Sequence, residues 1–214
     1  MTESFSTRGD NQAFLPHIYG ILSMSPITHL LTSWIVANGS SEITSRDRAI
    51  ITVAGIAPDL DGLGIIPELL TRGSAHPLLW YSEYHHLLGH NLLFGLLLSI
   101  IAFAFSMRKW TTALLTFLCF HIHVLSDVAG SRSPDGFQWP IAYLWPLEIW
   151  QWRWSGQWEL NGWPNFVVTI VALVIVFWLA WKRGHSPLEM ISATANRAFV
   201  DSLRRRFPPP VKPW

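Results

Sequence analysis

A single cysteine, Cys119, in 214 residues excludes an internal disulfide and a cysteine-based zinc site. It lies in an apolar run and reads as a packing residue. Charge is scarce as well. Asp, Glu, Lys and Arg make up 14% of the chain, against about a quarter in ordinary soluble domains. The formal net charge of +1 offers no concentrated basic face, so no nucleic-acid partner is expected. Met1–Gln12 is polar, with Arg8 and Asp10, and lacks the apolar core of a cleavable signal peptide. In place of charge, half of the residues are hydrophobic and thirteen are tryptophan. By length this is one domain, and by composition it belongs in a membrane.

Phe14–Leu22 reads as a short interfacial lead-in. Ser25-Pro26 opens a helix, proline being suited to a first helical position, and Asn38-Gly39 stops it. The polar loop Ser40–Arg48 carries Arg46 and Arg48. Ala49–Ala57 is apolar and ends abruptly at Pro58-Asp59-Leu60-Asp61-Gly62. Two carboxylates two residues apart in a loop can turn toward one centre, although Asp and Gly are also ordinary turn residues. Ile65–Tyr84 is interrupted by Pro67, Gly73 and Pro77 and reads as loop or short helices, with His76 on the surface. Seven tryptophans crowd Ser131–Trp163. Tryptophan prefers the membrane–water boundary, so this segment should lie along the interface or floor a pocket. Pro164–Trp181 is uncharged and long enough to span a bilayer, with Lys182-Arg183 closing it. Residues 1–185 form the membrane-embedded part. Residues 186–214 add a basic amphipathic helix and tail, suited to an anionic leaflet or to packing on a partner.

The chemistry concentrates where apolar segments end. Glu83-Tyr84-His85-His86-Leu87-Leu88-Gly89-His90-Asn91 leads into the apolar run Leu92–Met107. Thr111–Gly130 follows and contains His121, His123 and Asp127. Only Arg108-Lys109-Trp110 joins the two runs, which forces an antiparallel helical hairpin. His90 and Asp127 lie 19 and 18 residues from Lys109. With equal rise per residue they end at the same height. His86 and His90 are spaced i, i+4, as are His123 and Asp127, which on helices puts each pair on one face. A lone histidine on such a helix is more often a hydrogen-bonded interior residue than a ligand. Five of nine histidines at one end of one hairpin point instead to a metal site, because neutral imidazole is the commonest protein metal ligand.

This order of motifs resembles the YdjM family of inner-membrane-associated proteins, regarded as metal-dependent hydrolases. The match runs from an early histidine through Pro-Asp-Leu-Asp and His-x4-His to His-x3-Asp, before a Trp-Pro-rich tail. The resemblance implies a metal-ligand set of His29, Asp59, Asp61, His85, His90, His123 and Asp127. His86, Leu87 and Gly89 stand where the family usually has Arg, Gly and Thr. The family is also distantly similar to zinc-dependent phospholipase C and P1 nuclease, which are all-helical with His and Asp ligands.

The expectation is therefore an all-α, membrane-embedded bundle whose hairpin carries a metal site. His and Asp donors without Cys suit Zn²⁺, with Mn²⁺ or Fe²⁺ as alternatives. The expected activity is hydrolysis of a phosphoester such as a lipid headgroup, by a metal-activated water with a second metal at the leaving oxygen. Asp61 or Asp127 would bridge metals or hold the water, and His86 would donate a proton. Rival readings are a metal-binding or transport protein without hydrolysis, and a membrane di-iron oxidase. The loops holding Arg46/Arg48, Arg108/Lys109 and Lys182/Arg183 share one side if the apolar segments alternate. The positive-inside rule makes that side, and the C-terminus, cytoplasmic.

Overall fold

The computed structural model describes residues 25–40, 42–134 and 136–208. The expectations for Met1–Gln12 and Phe14–Leu22 fall outside them. The chain is all-helical: α1 Pro26–Ala37, α2 Ser45–Ala54, α3 Ile65–Thr71, α4 Trp80–Tyr84, α5 Leu92–Phe105, α6 Lys109–Gly130, α7 Trp163–Arg183 and α8 Ala193–Arg206. 3₁₀ turns cover Ala57–Gly64 and Pro187–Met190. Among the described residues there are no strands, only two isolated bridges in the tryptophan-rich segment.

Local chemistry sets the helix starts. The Ser25, Thr44, Asn91 and Ser192 side chains each accept a backbone N–H from the first turn they precede, satisfying donors that a helix leaves free. Gly184 takes the left-handed conformation, φ +79°, that ends α7.

On α6 the buried positions include Thr112, Thr116, Cys119, His123, Asp127 and Gly130, a stripe at helical spacing. It packs against α5 and α2, with Phe120, Val124 and Ile141 in one apolar cluster and Ile51, Ile43 and Cys119 in another. Cys119 is buried packing. The outward faces of α5 and α7 expose Leu93, Leu97, Ile100, Phe166, Ile170 and Val174, the surface expected in contact with lipid. By length and composition α6 and α7 can each cross a membrane, with 22 and 21 residues. The bent pair Ser45–Ala54 and Ala57–Thr71, at 42°, makes a third candidate span. At 14 residues, α5 reaches only about 21 Å, short of a hydrocarbon core of about 30 Å.

The basic turns meet at one end. Asp47, fully buried, accepts the Met107 and Arg108 N–H groups at 2.8 and 3.2 Å and so closes the α5–α6 turn. Arg48 pairs with Glu189 through two bonds, 2.6 and 3.1 Å, and Arg183 donates to the Asn38 carbonyl. Helix α8 lies against the end of α7, with Phe199 on Phe177 and Arg204 Nε on the Trp181 carbonyl. Asp47→Ala should cost about 1.5–3 kcal/mol, the range for hydrogen bonds to a charged group. Thermal melting in detergent checks it, and an unchanged midpoint would mean the turn needs no anchor.

Candidate metal centre

The opposite end of the bundle gathers the titratable groups. His29 comes from the first turn of α1 and Asp59 from the 3₁₀ turn after α2. His123 and Asp127 come from the last turns of α6. His90 comes from the turn that precedes α5. The hairpin count holds: His90 Nε2 lies 3.3 Å from Asp127 Oδ2. His29 stacks on His123 with ring centroids 3.8 Å apart, and its Nε2 faces Asp127 Oδ1 at 3.3 Å. His123 Nε2 faces Asp127 Oδ2 at 3.1 Å and Asp59 Oδ1 at 3.5 Å.

Hydrogen bonds on the far side of each ring fix which nitrogen points inward. His123 Nδ1 donates to the Gly55 carbonyl at 2.8 Å. Gly55 itself is pressed against α1, where a Cβ would sit 1.8 Å from Ser33 Oγ. His90 Nδ1 donates to Asp61 Oδ2 at 3.1 Å. Both outer acceptors lack a proton to give, so each ring spends its N–H there. With both rings neutral, the two Nε2 atoms would face each other 3.1 Å apart with their lone pairs directed inward. Around them the carboxylate oxygens of Asp59 and Asp127 are buried and have no hydrogen-bond partner. Such a set of acceptors requires a positive charge among them. The spacing of 3.1–3.5 Å between donor atoms matches the edge of a coordination shell with bonds of about 2.0–2.2 Å.

Without a metal, a proton takes that place. Burial alone would lower His90, but the hydrogen bonds and charges of Asp127 and Asp61 outweigh it and raise the group to about 10. A metal must displace that proton, the usual coupling between ligation and deprotonation.

Two sets of donor atoms lie close enough to hold an ion: His29, Asp59, His123 and Asp127, and separately His86, His90 and Asp127. Asp61 and His85 fall in neither set, contrary to the ligand list that the sequence implied. Both Asp61 oxygens are engaged, Oδ1 by His85 Nδ1 at 2.8 Å and Oδ2 by His90 Nδ1 and the Gly89 N–H at 3.1 and 3.0 Å. This carboxylate holds His85 and His90 in place behind the candidate donor atoms, the position that outer carboxylates take in metal sites. Gly89 is tight for the same reason, since a Cβ there would meet the Pro58 carbonyl oxygen at 2.3 Å.

The helical spacing expected for His86 and His90 is also corrected. Helix α5 begins at Leu92, because Asn91 caps it by accepting the Phe94 N–H at 3.0 Å. Both histidines therefore sit in the turn before it, where His86 adopts φ +65°, uncommon for a residue with a side chain. His86 is buried with neither ring nitrogen hydrogen-bonded. Burial, then the neighbouring His85 and His90, pushes its pKa well below the usual histidine range. His121 leaves the cluster altogether and bonds Tyr143 Oη and the Phe117 carbonyl.

Residues 24–200 match the family model described as YdjM inner membrane protein. The chain belongs to the YdjM family. No curated protein and no solved structure matches it. The membrane setting of the YdjM family agrees with the apolar outer faces of α5 and α7.

Around the YdjM centre lie residues that the motifs did not flag. Tyr81 stacks on His85 at 4.5 Å, and its buried hydroxyl has no partner. Trp139 packs edgewise on His85 and His86. Gln157 bonds the Asp127 and Val128 carbonyls and accepts the Trp139 N–H, tying the tryptophan-rich segment to the end of α6. A cavity of about 150 Å³ opens beside the centre, lined by Glu83, His85, His86, Phe137, Trp139 and Gln151 among others.

Proposed function

We propose that the chain is a membrane-bound, metal-dependent hydrolase of phosphoesters, with a lipid headgroup as the natural substrate. What supports it most is the pair of inward-facing His90 and His123 Nε2 atoms, 3.1 Å apart among unpartnered carboxylates. When bound, a divalent ion supplies Lewis acidity and an activated water, and Zn²⁺ suits the donors best. His29, Asp59, His123 and Asp127 form one donor set that would hold it and His86, His90 and Asp127 the other, and Asp61 keeps His90 turned inward. The cavity at His85 and His86 is smaller than the roughly 300–1,000 Å³ of typical ligand pockets, so it fits a headgroup rather than acyl chains. Trp139 and Phe137 wall it, on a segment rich in membrane-interface residues.

The two adjacent histidines exchange the roles that the motifs imply. His85 lies outside both donor sets and lines the cavity, with Nδ1 held by Asp61 and Nε2 without a partner. That arrangement suits a proton-handling group, because a carboxylate behind an imidazole fixes its tautomer and aim. His86 takes its place among the donors.

The likeness to phospholipase C and P1 nuclease rests on an all-helical scaffold with His and Asp donors, and fold-level analogy does not fix function. The test is a phosphodiesterase screen on detergent-purified protein, with diester reporters and lipid vesicles. Turnover should vanish on chelation and return with Zn²⁺. Metal bound tightly with no ester turned over would favour the binding or transport reading.

The shared end of the three basic turns supports a cytoplasmic position for them and for the C-terminus, with the metal centre toward the other face. In a Cys119→Ala background, Asn161→Cys should react with an impermeant thiol reagent on intact cells. Ser45→Cys, exposed at the basic end, should react only after the cells are broken. Labelling of neither in intact cells would place the whole centre on the cytoplasmic side.

A further inference from the structure

We infer that the centre holds two metal ions bridged by Asp127, with His86 as a ligand to the second. This deepens the hydrolase reading and rests on it. The donor atoms divide into two groups that share only Asp127. Within each group every donor lies within 4.8 Å of the others, and no single such group contains both His86 and His29, Asp59 or His123. One ion therefore cannot use them all.

The Asp127 carboxylate is oriented to serve both. Its Oδ1 faces His29 Nε2 at 3.3 Å, and its Oδ2 lies between His123 Nε2 at 3.1 Å and His90 Nε2 at 3.3 Å, where the two groups meet. With Oδ1 turned to the first group and Oδ2 at the contact between the two, this carboxylate can bridge ions at the usual two-metal spacing of about 3.5–4 Å. The first ion takes His29, Asp59, His123 and one Asp127 oxygen. The second takes His90, His86 and the other oxygen, leaving positions open toward the cavity.

His86 is 3% exposed, and neither ring nitrogen has a hydrogen-bond partner. Buried polar groups normally find a partner, and this one reaches none of the surrounding protein groups. It is also held by a backbone at φ +65°, a conformation that costs energy and persists where the surroundings enforce it. The same side chain lines the cavity, so the second ion lies on the substrate side and the first lies deeper, under His29.

The test uses the full chain in detergent, stripped by chelator and reloaded with Mn²⁺ alone, with free ion removed by gel filtration. Elemental analysis should give two Mn²⁺ per chain, and the electron paramagnetic resonance spectrum should be that of a spin-coupled pair. His86→Asn suits the left-handed backbone, which Asn tolerates better than most residues. It should retain one Mn²⁺ with the six-line signal of an isolated ion. His86→Gly, which removes any backbone strain, should do the same and guards against misfolding of the first variant.

One Mn²⁺ per chain in the unaltered protein would overturn the bridged pair while leaving a single-metal hydrolase intact. So would a folded His86→Asn or His86→Gly protein that keeps both ions or loses both. No Mn²⁺ in any of them would overturn the hydrolase reading as well.

Discussion

Asp127→Ala should purify as a folded protein with metal content at background and turnover lowered about a thousandfold or more. Asp127 is buried and contacts the inward Nε2 atoms of His29, His90 and His123, so its removal takes donors from both groups at once. A bound metal supplies several kcal/mol of transition-state stabilisation, which converts to roughly three orders of magnitude in rate. His90→Ala should behave in the same direction. His76→Ala and His185→Ala should keep wild-type metal content, since His76 is exposed and His185 contacts Glu189 at the basic end of the bundle. Elemental analysis of the four proteins decides. Full metal in both Asp127→Ala and His90→Ala would remove the centre from this end of the fold.

The second large effect is expected at a residue that touches no metal. Asp61→Asn keeps the size of the side chain but replaces one acceptor oxygen by a donor nitrogen. That amide cannot accept from His85 Nδ1 while its oxygen serves His90 and Gly89, so one of the two imidazoles loses its anchor. Loss of an outer carboxylate typically weakens a metal 10–100-fold. Competition against a fluorescent chelator should show a loss of that size. Turnover at saturating Zn²⁺ should stay low too, because His85 no longer holds its aim. Unchanged affinity together with unchanged saturated turnover would make Asp61 a mere turn residue.

Much of this arrangement was legible in the chain because helices translate spacing into height. The short Arg108-Lys109-Trp110 link fixed the hairpin, and equal counts to His90 and Asp127 placed them together. Ser25-Pro26 and Asn38 marked α1, and His29 in its first turn followed. The histidines before α5 were less legible. The i, i+4 spacing of His86 and His90 is shared by helices and by compact turns, and the cap at Asn91 decides for the turn. The distinction between Asp59 and Asp61 was also hidden. Both leave the same loop, and only packing of that loop against Gly89 shows which carboxylate faces inward. Tyr81, Trp139 and Gln157 carry no spacing signal, because long-range packing of the short helix α4 and of the irregular tryptophan-rich segment brings them in. Glu68 is similar: buried, it accepts from the Ser82 backbone and hydroxyl and so sets the turn of chain that carries Tyr81 and His85.

The most direct measurement is X-ray absorption at the zinc edge on the purified, Zn²⁺-loaded protein. Nitrogen and oxygen scatterers at about 2.0–2.1 Å, with the outer-shell pattern of several imidazoles and no sulfur, are expected from His90, His123, His29 and the carboxylates. A sulfur shell at about 2.3 Å, or no zinc retained after loading, would contradict a metal centre built between His90 and His123.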